Sequence, residues 1–161
     1  MATWLEFSAA APELAEAIEA RLKAHKHHLL ATLRKDGSPR LSGTEVEIFD
    51  GKLVIGSMPG AMKVRDLLRD PRYALHSNPG DHTMTGGDAK LSGHAREATG
   101  EERDWIVAAY ADKYGGETAA GDDGAHMVVL DVDEATHITV DDKHLYVDLW
   151  RPGREVERFV K

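Results

Sequence analysis

The stretch His28-Leu-Leu-Ala-Thr-Leu-Arg-Lys-Asp-Gly-Ser-Pro-Arg-Leu-Ser-Gly-Thr-Glu-Val-Glu-Ile-Phe-Asp-Gly-Lys-Leu-Val-Ile-Gly-Ser57 carries two tight turns within thirty residues. The apolar run from His28 to Leu33 is stopped by Lys35-Asp-Gly-Ser38, whose Asp-Gly pair is a hairpin signal. From Pro39 to Phe49, Leu41, Gly43, Val46 and Ile48 alternate with polar residues, the period of a strand with one face buried. Asp50-Gly51 turns the chain again, and Lys52 to Ser57 is a third strand. Strands joined this closely are antiparallel, because a parallel pair needs a crossover of a dozen residues or more.

Upstream, Pro12 to His25 carries Leu14, Ala17, Ile18 and Leu22 at helical spacing, with glutamates early and Arg21 and Lys23 late. Proline in the first turn and that charge order both suit a helix over 12–25. Trp4 and Phe7 lie just before it, placed to staple its start to a core. Downstream, Met58-Pro-Gly60 breaks the third strand, and Ala61 to Arg69 reads as a short helix with Val64, Leu67 and Leu68 on one side. Asp70-Pro71 ends it. Tyr73–His76 and Ala89–Ala98 are strands, and Glu101–Tyr114 is a helix burying Trp105, Ile106, Ala109 and Tyr110. Residues 115–124, rich in glycine, alanine and aspartate, predict a flexible loop. Two strands close the chain: Met127–Val132, with a continuation through Ile138 to Val140, and Leu145–Trp150. The sum is one domain over 1–161. It is mainly β with flanking helices, a split antiparallel β-barrel of six to seven strands.

The composition sets limits on partners. A chain of 161 residues with 42% hydrophobic and 30% charged residues builds a globular core. Its net charge of −8 argues against non-specific nucleic-acid binding, which needs a basic surface, but leaves room for a small anion in a local basic pocket. The absence of cysteine removes disulfides, thiolate metal sites and cysteine nucleophiles, and fits a reducing compartment. The first eleven residues lack the pattern of a secretory signal, and no apolar run has the length of a membrane span. A cytoplasmic protein without membrane or nucleic-acid partners is expected.

For chemistry, the segment from Lys52 to Pro71 is the most informative. A strand ends at Ser57, a glycine turn follows, and a helix opens with Lys63 in its first turn. A hydroxyl, exposed backbone N–H groups and a lysine together favour a phosphate; a plain strand–turn–helix with a solvated lysine has the same appearance. It is not a Walker A loop, since Ala61 and Met62 stand where glycine and lysine belong after Gly56. His25, His27 and His28 lack the i, i+4 spacing of a helical metal site, and no metal is expected. His76, His94 and His126 read either as polar barrel positions or as a haem ligand. Asp122-Asp123 lacks the alternating ligands of an EF-hand. Trp150-Arg-Pro-Gly-Arg154 reads as a C-terminal anchor or as an arm toward a ligand across a dimer.

Pieces in order, His28 to Arg40, Arg40-Leu41-Ser42, Lys52 to Lys63, Leu67 to Leu75 and Ala89 to Arg96, resemble the pyridoxamine 5′-phosphate oxidase-like, flavin-binding split β-barrel family. The resemblance covers about residues 26–115 and implies a homodimer binding FMN, or in some branches the deazaflavin F420, for small-molecule redox chemistry. Haem-degrading relatives keep open a non-catalytic flavin- or haem-binding role. Carried over by position, Arg40 reaches the cofactor's phosphate side and Leu41 and Ser42 lie along its strand. Ser57 is the hydroxyl ending the third strand, and Ala61, Met62 and Lys63 form the phosphate-binding run. In that family the pair before the lysine is often Ser-Arg or Arg-Arg; here it is Ala61-Met62. Glu45 stands where the pyridoxamine oxidases carry a lysine near the ring, which implies poor pyridoxamine phosphate oxidation.

Overall fold

The computed structural model describes residues 1–115 and 124–161; the central part of the expected 115–124 loop, with Asp122 and Asp123, lies outside them. Four helices and nine strands are seen among the described residues. Helix α1 (Trp4–Ala10) and helix α2 (Pro12–Ala24) precede strands β1 (His28–Leu33), β2 (Pro39–Thr44), β3 (Glu47–Phe49) and β4 (Lys52–Ser57). Helix α3 (Met62–Arg69), β5 (Arg72–His76), β6 (Asp88–Glu97), α4 (Gly100–Tyr114), β7 (His126–Val140), β8 (Leu145–Trp150) and β9 (Glu157–Val160) complete it. No described helix is long and apolar enough to cross a membrane.

The hydrogen-bonded path runs β2-β1-β5-β6-β7-β4-β3, all antiparallel, with β8 paired to the far half of β7 and β9 to β8. β2 and β3 end this path on opposite sides, yet only Glu45 and Val46 separate them in the chain. Three residue steps span at most about 10 Å, so the sheet must curl until its two edges nearly meet. That is a split barrel. The expected six or seven strands become nine because the run Pro39–Phe49 breaks at Glu45 to serve both edges, and because Glu157–Val160 adds a hairpin strand with every residue exposed.

Two apolar layers hold the sheet. Leu30, Leu53, Ile55, Leu75, Leu91 and Leu130 face inward, beneath Trp4, Phe7 and Ile18 of the N-terminal helices. Val54, Met127 and Val129 face outward, beneath Ile106 and Tyr110 of α4. β4 and β7 are therefore buried on both faces where they pair, which explains their unbroken apolar runs.

Several local expectations are corrected. Trp4 and Phe7 belong to a helix of their own, started by a capping box in which Thr3 and Glu6 satisfy each other's backbone N–H groups. Trp150 packs on Phe7 at 4.8 Å between ring centroids. α2 ends at Ala24, since His25 is already extended. On α4, Trp105 is 42% exposed and lies under the Lys52 ammonium, 5.1 Å from the ring centroid; Ala109 is only partly covered. On α3, Leu68 faces solvent and Asp66 takes the buried place.

One glycine is required by packing. The β6–β7 ladder shifts register between Ser92 and Gly93, and a Cβ on Gly93 would lie 2.0 Å from the Asp131 carbonyl oxygen. Only glycine fits this bulge.

Candidate active site: a cationic cleft built on Asp66

Asp66 is the centre of the strongest polar cluster. Its side chain is 1% exposed, and three elements donate to it. From β1, Thr32 Oγ1 donates to Oδ2 at 2.8 Å; from β2, Arg40 Nε donates to the same oxygen at 2.6 Å. From α3 itself, an Arg69 Nη donates to Oδ1 at 3.1 Å and also to the Leu33 carbonyl. Thr32 and Arg40 are register partners, so the antiparallel pairing presents both donors to one carboxylate. Burial alone would raise the Asp66 pKa, but Arg40, Thr32 and Arg69 together hold it below the ordinary carboxylate value.

The face of α3 that carries Asp66 also carries Met62 and Arg69, at i−4 and i+3, and lines an open cleft of about 540 Å³. Arg40 forms part of its wall, and the β1–β2 turn supplies Arg34, Lys35 and Asp36. Asp36 accepts from the Ser38 backbone N–H at 2.9 Å and its hydroxyl at 2.6 Å, which fixes the turn. Four cations and two carboxylates therefore line this cleft on a chain whose net charge is −8.

The residues singled out from sequence do not all converge here. Arg40 and Met62 line the cleft. Lys63 sits on the neighbouring flank, where its Nζ donates to the Gly43 carbonyl at 3.0 Å. Burial lowers the Lys63 pKa, and Glu45 nearby opposes that shift. Glu45 lies in the joint between β2 and β3, 3.3 Å from His27 Nε2 and 3.7 Å from Lys26 Nζ. Ser42 shares the inward strand parity of Arg40, whereas Leu41 projects to the opposite face and is 68% exposed. Ser57 is buried at the end of β4, opposite His126 of β7. Ala61 precedes α3, where no side chain caps the helix start.

Asp66, Arg69, Thr32, Arg34 and Lys35 were missed by sequence reasoning. The signal for two of them was present: Asp66 and Arg69 recur with Met62 at one helical face, and the aspartate falls among positions the apolar pattern buries.

The histidines are dispersed. His94 Nδ1 is 2.6 Å from Asp133. His126 Nδ1 is 2.5 Å from Glu97, and its Nε2 accepts from the Gly60 N–H at 3.3 Å, anchoring the turn before α3. His76 Nδ1 donates to the Ser77 carbonyl at 2.5 Å. Its Nε2 faces Asp88 only at 3.9 Å, beside a groove of about 300 Å³ lined in part by Ala31, Ala74, Leu75 and Leu91. Among the described residues no three His, Asp or Glu side chains are grouped to hold a metal ion. Trp150 is buried, and Arg151 pairs with Glu134 at 2.8 Å, as a C-terminal anchor requires.

A curled antiparallel sheet with a strand–turn–helix at its mouth defines a class of split-barrel proteins. A family model described as pyridoxamine 5′-phosphate oxidase matches residues 14–139, and the chain belongs to that family. A comparison with curated proteins gives no match. Among solved structures, a heme binding protein from Mycobacterium smegmatis is similar over 84% of this chain and 57% of its own, at 23% identity and a TM-score of 0.66. The chain thus spans little more than half of that protein's length, as it does for Atu2129 from Agrobacterium tumefaciens at 54%. HutZ, a heme storage protein from Vibrio cholerae, is similar over 76% of this chain and 89% of its own, at 17% identity and a TM-score of 0.58. A putative pyridoxamine 5′-phosphate oxidase from Listeria innocua is similar over 76% and 95%, at 15% identity and a TM-score of 0.60. At such identities the likeness speaks to the fold.

Proposed function

We propose that the chain is an FMN-dependent oxidoreductase acting on a small molecule as a homodimer, with the cofactor phosphate held in the Asp66 cleft. The observation that carries this reading is the pair of guanidinium groups fixed on one buried carboxylate at the wall of a cationic cleft. A phosphate monoester is a dianion and needs both positive charge and directed donors. Arg40 is tied to Asp66 through Nε, and its two Nη groups donate to no acceptor among the described residues. The residues present therefore fit the phosphate. When bound, the flavin supplies the hydride chemistry itself, so no protein nucleophile is required. The chain's residues fix and orient: Lys63 adds charge on the flank, and the edge of β2 at Leu41–Gly43 offers backbone contacts to a flat ring, Leu41 itself pointing to the outer face. Leu41 and Leu29, exposed on that outer face, suit cover by a second copy. Glu45, flanked by Lys26 and His27, favours a substrate other than pyridoxamine phosphate, whose own phosphate it repels.

The test is titration of wild type and Arg40→Ala with FMN and riboflavin, which differ by the phosphate. Loss of a charge-assisted bond of roughly 1.5–3 kcal/mol weakens FMN about ten- to hundredfold and leaves riboflavin nearly unchanged. Equal losses for both ligands, or no flavin binding by wild type, overturn the reading. The same titration with F420 decides whether the deazaflavin is the natural ligand.

A second reading, a haem-binding protein without catalysis, is favoured by His76. Its Nδ1–H is held by a backbone carbonyl, the arrangement that orients a metal-binding imidazole, and its Nε2 borders a partly apolar groove. Relatives described as binding or storing heme support it. A Soret shift with haemin that His76→Ala abolishes is the expected result; an unaltered shift removes His76 from it.

A further inference from the structure

We infer that Arg69 is a second phosphate-recognition residue, occupying the role that Met62 cannot fill. This rests on the reading that the cofactor phosphate lies in the Asp66 cleft. The argument starts from helix geometry. Residues 62, 66 and 69 share one face of α3, so a side chain two turns along from position 62 reaches the same cleft wall. Met62, half exposed, brings no charge to it. Arg69 does, and it is not a free surface arginine. One of its Nη groups is held by the Asp66 carboxylate at 3.1 Å and by the Leu33 carbonyl. Its other Nη and its Nε donate to no acceptor among the described residues.

Arg40 and Arg69 thus divide one carboxylate, Arg40 on Oδ2 and Arg69 on Oδ1. Each keeps part of its donor fork unspent, and both line the same cavity. The triad of two guanidinium groups and one carboxylate carries a net charge of +1, held in place before any ligand arrives. That pre-organisation separates Arg69 from Arg34 and Lys35, which are exposed on a turn. Those two act as a diffuse field, whereas Arg69 has already lost the rotamer freedom that binding otherwise removes. The charge of the whole cleft sets the ligand: four cations against the two carboxylates Asp36 and Asp66 leave a surplus of two positive charges, which matches a phosphate dianion.

The experiment titrates FMN and riboflavin into wild type, Arg69→Ala, Arg69→Lys, Arg40→Ala and Lys35→Ala. Arg69→Ala weakens FMN roughly ten- to hundredfold while riboflavin stays within about twofold, which also reports that the variant is folded. Arg69→Lys recovers only part of the loss, because an ammonium cannot hold Asp66 and a phosphate with one planar fork. Lys35→Ala has a small, salt-sensitive effect. If Arg40→Ala discriminates between the two flavins and Arg69→Ala does not, Arg69 only ties α3 to β1 and the inference falls. If neither discriminates, the phosphate lies elsewhere, and the functional reading falls with it.

Discussion

Asp66 and Asp148 both hold arginines, and they do so in opposite surroundings. Asp66 is buried and collects Thr32, Arg40 and Arg69 from three elements. Asp148, on β8, faces Arg158 directly across the β8–β9 hairpin. That arginine grips it by a fork, Nε to Oδ1 at 2.6 Å and Nη to Oδ2 at 2.7 Å. By geometry Asp148 makes the better single pair. By environment it is the weaker one, since Arg158 is 58% exposed and the aspartate 17%. Both pKa values lie below the ordinary one, for different reasons. At Asp148 the Arg158 hydrogen bonds dominate over a modest burial that raises it; at Asp66 the large effect is burial, and only the combined donors overcome it. Water screens the first pair and reaches the second only through its arginines. An ion pair's importance follows from what its members lose when it breaks, more than from its distances.

The sharpest way to break this contrast is Asp66→Ala. It leaves two partly buried guanidinium groups without their anion, and a loss of about 3–5 kcal/mol in urea unfolding is expected. A loss below about 1 kcal/mol would place Asp66 in the same class as Asp148. The same carboxylate shapes the acid limb. Its pKa is lower in the folded than in the unfolded chain, so its contribution is complete above the unfolded value of about 3.9. That contribution disappears as pH falls through the folded value. The stability gap between wild type and Asp66→Asn should therefore narrow on acidification below about pH 4; a constant gap would mean that Asp66 does not titrate with folding.

Thr32→Val keeps shape and removes one donor to the buried anion, with an expected loss of about 1.5–3 kcal/mol. At the small end, Arg158→Ala should shift stability by about 0.2–1 kcal/mol, less in high salt. A larger, salt-independent loss would show that the hairpin pair is desolvated in solution, and would erase the contrast.

The elements were legible wherever local signals are strong. Asp36-Gly37 and Asp50-Gly51 marked turns, and the pattern around Leu14, Ile18 and Leu22 marked a helix, because these depend on nearby residues alone. The break at Glu45 was not legible: nothing in Pro39–Phe49 says that its two halves join opposite edges of the sheet, which is a property of closure. Glu157–Val160 was invisible because all four residues are exposed, so burial imposes no pattern on them. At the site, Arg40 and Met62 were found through the resemblance. Asp66 was passed over because a carboxylate on an amphipathic helix usually faces water, and two of its three donors come from strands 34 and 26 residues away. Leu41 was grouped with Arg40 by adjacency, although neighbours on a strand point to opposite faces.

β7 has a consequence for how the chain is made. Residues 126–130 of this strand close onto β4, and residues 128–138 lie along β6. β4 and β6 are complete by residue 97, yet each waits for a neighbour encoded only after α4. A nascent chain that has emerged as far as α4 carries two open, strongly apolar strand edges at once, and edges of that kind pair with whatever strand arrives first. The vulnerable interval in this protein's life is therefore its synthesis, between the appearance of β6 and that of β7, when the barrel has all of its wall except the strand that shuts it.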